Sequence, residues 1–200
     1  MRLEDDGRTV QKRDSRGPDY SGCIGSTVFE NGEHKWELKM KGEMRGVWVG
    51  VSSPEIRVDR SVSECCPPAS VFIRRPDGGV AKTGPLTEGS AKDAGRSRGW
   101  RDGETIRMTL DVDAGTLKFF NVSGESECGG YNGITPGTKL VPCVNFDYST
   151  SATIVTCERT GGGSGRVERT AIDAVLSSFA RGHFVQTSSR LLAGPTMETH

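Results

Sequence analysis

The chain reads as an all-β sandwich. Three observations predict this class. A hairpin of alternating residues spans 105–122, further short strands carry the same period of two, and Gly, Pro and Asp clusters separate them with no long helical pattern between. In the hairpin, Ile106, Met108, Leu110 and Val112 alternate with Arg107, Thr109 and Asp111. That spacing describes a strand with one buried face and one wet face. Asp113-Ala114-Gly115 supplies the turn, because Asp caps its own backbone and Gly accepts positive φ. The returning strand sets Leu117 and Phe119 on one side and Lys118 and Phe120 on the other.

The remaining elements follow in order. Trp36, Leu38 and Met40 alternate with Glu37, Lys39 and Lys41, a second half-buried strand. Val47, Trp48, Val49 and Val51 form an apolar run, the pattern of a central strand covered on both faces. Val71-Phe72-Ile73 begins a third strand, which turns at Pro76-Asp77-Gly78-Gly79 and returns through Val80 and Ala81. Leu140 to Phe146 and Ala152 to Cys157 complete the set, with Pro142 predicting an edge or an irregular start. Two long loops interrupt the pattern. The one at 53–70 is expected to join a binding face, and the one at 84–99 to be mobile.

The sandwich is expected over 1–158. Residues 159–200 are expected to be a flexible tail with one helix. Gly161-Gly162-Gly163-Ser164-Gly165 reads as a linker. Val167, Ala171, Ile172, Val175, Leu176 and Phe179 then recur at helical spacing until Gly182. Residues 183–200 read as disordered.

Twenty-six basic residues balance 26 acidic ones, divided as −2 over 1–158 and +2 over the tail. Neither part has the basic field that nucleic acid or an anionic membrane would require. No apolar run approaches the length that spans a bilayer. The polar start, Met-Arg-Leu-Glu-Asp-Asp, lacks the apolar core of a signal peptide, so a reducing, cytoplasmic location is expected. The six cysteines then read as reduced, partly buried thiols, and the sequon Asn121-Val122-Ser123 carries no modification.

No catalytic constellation accompanies the strands. Asp111-Val112-Asp113-Ala114-Gly115 fails as a calcium loop, because its twelfth position is Val122 where a bidentate Glu is needed. Gly79 to Gly84 contains Lys82-Thr83 but lacks the glycines of a phosphate loop. Cys65 and Cys66 are adjacent, and no other Cys or His pair has zinc spacing. His34 sits in a strand and His183 and His200 in the tail, so no nucleophile–His pair is supported. No catalytic residue, metal or cofactor is expected.

In order, the motifs resemble the PRY-SPRY domain of tripartite-motif ubiquitin ligases and butyrophilins. Leu3 to Val10 resembles the opening PRY strand. Gly25-Ser26, Phe29, Gly32, His34, Trp36 and Glu37 resemble the Gly-then-His-x-Trp-Glu motif, and Val47 to Val51 the strand after it. Phe72-Ile73-Arg74 falls where the family carries a Trp-containing strand. Leu110-Asp111 through Asn121-Val122 resembles the Leu-Asp-x-x-x-Gly-Thr-Leu-x-Phe-x-Asn-Val hairpin, the most specific piece. Leu140-Val141-Pro142 resembles the family's Leu-x-Pro strand.

The resemblance implies a bent, concanavalin-like jelly roll of two antiparallel sheets. It also implies a non-catalytic module that binds a protein or peptide through loops at one end, as in substrate recruitment for ubiquitin ligation or scaffolding. The expected contact residues are Phe72, Arg74, Tyr131, Asp147 and Tyr148, because Tyr, Phe and Arg dominate interface energetics. A carbohydrate-binding or hydrolytic lectin-like sandwich is the alternative that the architecture leaves open.

Overall fold

A computed structural model describes residues 2–5, 8–12, 21–25, 27–56, 71–74, 80–83 and 99–160. The expectations for 57–70, for the turn at 76–79, for 84–98 and for the whole of 161–200, including the helix, lie outside the described residues. The described strands are β1 (Arg2–Glu4), β2 (Thr9–Lys12), β3 (Ser21–Ile24), β4 (Glu33–Gly42), β5 (Val47–Ser52) and β6 (Val71–Arg74), followed by β7 (Val80–Thr83), β8 (Thr105–Asp111), β9 (Thr116–Asn121), β10 (Ser126–Asn132), β11 (Val141–Phe146) and β12 (Thr150–Thr160). They form two antiparallel sheets. One has seven strands in the order β1-β2-β12-β4-β8-β9-β10, and the other has five, β3-β11-β5-β6-β7.

The alternation written in the sequence decides which side chains meet. On β4, His34, Trp36, Leu38 and Met40 turn inward, and on β8 Ile106, Met108 and Leu110 do the same. The register sets Trp36 opposite Met108 and Leu38 opposite Ile106, so apolar faces the same way on both strands. Leu117 and Phe119 continue the layer on β9, and Val47, Val49 and Val51 face them from the five-stranded sheet. Each fully buried side chain of this kind contributes roughly 1.5–3 kcal/mol.

The turn forms at 112–115 with Gly115 at φ 63°, as expected, but the capping carboxylate is that of Asp111, which accepts from the Ala114 amide at 2.8 Å, while Asp113 accepts from the Gly32 amide at 3.1 Å. A Cβ on Gly115 would strike the Ile134 carbonyl oxygen. β5 lies between β11 and β6, as its apolar run predicts.

Pro142 departs from the edge expectation, because β11 lies inside the five-stranded sheet between β3 and β5. It sits at the second position of the strand. Its carbonyl accepts from the Gly25 amide at 2.8 Å, on the side where β3 pairing begins only at Cys143. The missing N–H faces that same side, so the ladder to β5 is kept and the bond forgone is the second one of the Pro142–Gly25 pair, just past the end of β3.

Asn121 is fully buried. Its amide nitrogen donates to the Gly99 carbonyl at 2.9 Å and to Glu104 at 2.8 Å, and its oxygen accepts from the Gly124 amide at 2.9 Å. The sequon asparagine is therefore a corner brace with its side chain inaccessible in the folded chain. The four described cysteines, Cys23, Cys128, Cys143 and Cys157, are free thiols and buried.

Candidate binding surface

β4 belongs to the seven-stranded sheet and β5 to the five-stranded one, so the chain changes sheet through Glu43-Met44-Arg45-Gly46. It changes back between β11 and β12, through Asp147-Tyr148-Ser149. Register puts both crossovers at one end of the sandwich, since Val47 pairs with Phe146 and Gly42 with Thr150.

The two crossovers are bonded to each other. The Glu43 amide donates to the Ser149 carbonyl at 3.1 Å, and the Asp147 amide to the Gly46 carbonyl at 3.1 Å. The Thr150 hydroxyl donates to the Glu43 carbonyl at 2.6 Å. Gly46 adopts φ 73°, and a Cβ on it would lie 2.6 Å from that of Asp147, so only glycine allows this approach. A third turn joins them, with Asp102 accepting from the Gly42 amide at 2.8 Å.

On this frame Arg45 lies over the Tyr148 ring, 4.7 Å from its centroid. Arg45 is exposed and reaches Glu43 at 3.3 Å, whereas Tyr148 is half-buried. Cation–π contacts at such sites are worth about 0.5–1 kcal/mol. The exposed ion pair adds little, because solvent screens it. The arrangement offers a partner a planar cation, an aromatic face and neighbouring carboxylates on a held backbone.

Asp147 and Tyr148 thus lie on the β11–β12 crossover. Arg74 pairs with Val49, midway along β5, whereas Phe72 pairs with Val51, whose other partner is Pro142, so the backbone of Phe72 lies toward the opposite end of the sandwich. Tyr131 does not join them. The sequence reads its surroundings as a Gly-rich loop, but Ser126–Asn132 is strand β10 at the sheet edge. A bulge between Glu127 and Gly129 shifts the register, and Tyr131 turns inward at 1% exposure. Its ring meets Phe119 edge-on at 6.2 Å. That burial removes it from any contact surface.

Sequence reasoning missed Arg45. The glycines at 42 and 46 around Glu43-Met44-Arg45 were a turn signal that could have found the loop, but not its stacking on Tyr148.

Between the sheets, Val10, Cys23, Trp36, Leu38 and Ile154 line an apolar cavity of about 20 Å³, which has room for about one water. Among the described residues no group of three His, Cys, Asp or Glu could hold a metal ion.

The family model for the SPRY domain matches residues 33–159. The chain therefore belongs to the SPRY domain family, whose members are protein-interaction modules and are generally non-catalytic. The solved SPRY domain of human HERC1 is similar at 21% identity and TM-score 0.55, covering 76% of this chain and 90% of that one. The TRIM65 PSpry domain is similar at 19% identity and TM-score 0.52, covering 76% and 84%. These likenesses establish the fold. No curated protein matches the sequence.

Proposed function

We propose that this chain takes a protein or peptide surface on the crossover end of its sandwich, without catalysing a reaction. Arg45, Asp147 and Tyr148 form the centre of that surface, with Arg74 the nearer of the two β6 candidates. One observation carries the reading: the Arg45–Tyr148 stack stands on loops hydrogen-bonded to each other. Tyr and Arg are the types that dominate interface energetics, and a held backbone lowers the ordering cost of binding. The task is substrate recruitment for a ubiquitin ligase or a scaffold. The setting is cytoplasmic, where free thiols such as the four described here persist.

Proximity labelling with the intact chain tests this. Wild type is compared with Tyr148→Ala, Arg45→Ala and Lys139→Ala, the last at the far end of the sandwich. Neighbours kept by Lys139→Ala and lost with Tyr148→Ala support the surface, and ligase components among them support the task. Neighbours indifferent to Tyr148→Ala and lost with Lys139→Ala would move the surface to the opposite end.

A further inference from the structure

Lys12 closes β2, in the seven-stranded sheet, yet it is only 4% exposed. Lysine is almost never this buried unless its charge is partnered. Its ammonium donates to the Phe146 carbonyl at 3.3 Å and the Asp147 carbonyl at 2.9 Å. Both acceptors belong to the other sheet's exit into the recognition loop. Two successive carbonyls drawn to one cation fix the direction in which the chain leaves β11.

The register extends the device. Lys12 pairs with Thr150, and Thr150 pairs with Gly42. Thr150 holds the Glu43 carbonyl while Lys12 holds Phe146 and Asp147. One row across the sheet therefore grips both crossovers from below. An inward position beside Val10 would ordinarily take an apolar residue. A buried charge is weak support for stability, and its best use is to specify one conformation.

We infer that Lys12 is a positioning residue for the recognition surface, presetting the 146–149 loop so that Tyr148 meets Arg45, without itself touching the partner. This rests on the reading of the crossover end as the binding face, but its first test does not.

That test is NMR on the intact labelled chain. In the wild type the Lys12 ammonium gives a solvent-protected signal with hydrogen-bond couplings to the Phe146 and Asp147 carbonyls. In Lys12→Met the Asp147 and Glu43 amides exchange at least tenfold faster, amides of β4 and β8 are unchanged, and the ring-current shift on the Arg45 side chain collapses. Lys12→Arg restores part of both. An unprotected ammonium in the wild type overturns the inference even if Lys12→Met does not fold. So does unchanged loop exchange, or equal loss of protection in every strand.

The second test uses a peptide selected by display against the intact chain and lost with Tyr148→Ala. Lys12→Met weakens it about tenfold, the effect of a binding-competent loop populated a tenth of the time. Unchanged affinity beside altered exchange makes Lys12 a structural clamp only and overturns the positioning role. Failure to select such a peptide counts against the binding face, and the exchange result then decides whether Lys12 sets the loop.

Discussion

The two ends of the sandwich are closed by different chemistry. They lie about 30 Å apart along the ten residues of β4. At the Glu33 end, backbone and core side chains do the closing. Phe29 and Leu140 exchange two backbone hydrogen bonds of 2.7 and 3.0 Å, and the Ile134 amide donates to the Gly115 carbonyl at 3.0 Å. Phe29, Ile134 and Leu140 are buried there, and the Phe29 ring stacks on His34 at 4.2 Å. At the Gly42 end, side chains brace the backbone in addition to its own bonds: Lys12 and Thr150 hold loop carbonyls and Asp102 holds the last amide of β4. The aromatic and the cation on those loops are left at the surface. An end that buries its aromatics gains stability, whereas an end that braces its loops from beneath keeps them available to a partner.

The largest test of this contrast is Phe29→Ala. Loss of a fully buried ring should lower stability by about 3–5 kcal/mol in urea unfolding while leaving partner capture by the folded fraction intact. A loss under about 1 kcal/mol would mean that the closed end is not a core element.

Between the ends, Cys23 probes the core itself. Burial pushes its thiol from 9.0 up to about 12, and burial with the nearby Glu158 charge pushes Cys157 up to about 11. The folded state thus keeps protons that the unfolded chain releases above pH 9. Stability is full below pH 9 and falls as pH rises toward 12, by at most about 4 kcal/mol for Cys23 at about 1.4 kcal/mol per unit. Unfolding measured from pH 8 to 11 should follow this slope and flatten in Cys23→Ala. An identical slope in that variant would assign the effect elsewhere.

Asn121 braces the corner beside the crossovers. Asn121→Ala strands buried partners and should cost about 2–3 kcal/mol by chemical denaturation. Asn121→Asp should do no better, because it faces Glu104 with a second carboxylate. Stability unchanged in both variants would rule out the brace.

The smallest stability effect belongs to the residue with the largest predicted role in binding. Tyr148→Ala should cost less than about 1 kcal/mol, the worth of one exposed cation–π contact, while abolishing partner capture. A loss of several kcal/mol would place Tyr148 with Phe29 as a core residue.

The strands were legible because each rule that forms them is local. The 105–122 hairpin, the alternation of Trp36 to Met40 and the Val47–Val51 run were read correctly from a period of two and a Gly turn. The site was legible only in part. Tyr148 and Asp147 were singled out through the motif they follow, and the structure sets Tyr148 against Arg45. Tyr131 was misread because Gly129-Gly130 was taken for a loop, whereas these glycines belong to a strand with a bulge, with Gly129 at φ 88°.

By itself, then, the sequence determined the fold class, the inward faces of β4, β8 and β9, and the family, since period and turn chemistry act over a few residues. Only tertiary structure decided that Lys12 is buried, that Pro142 sits inside a sheet with its missing N–H at the end of β3, and that Arg45 meets Tyr148. Those outcomes depend on partners more than 100 residues away along the chain, which register brings together and no local pattern encodes.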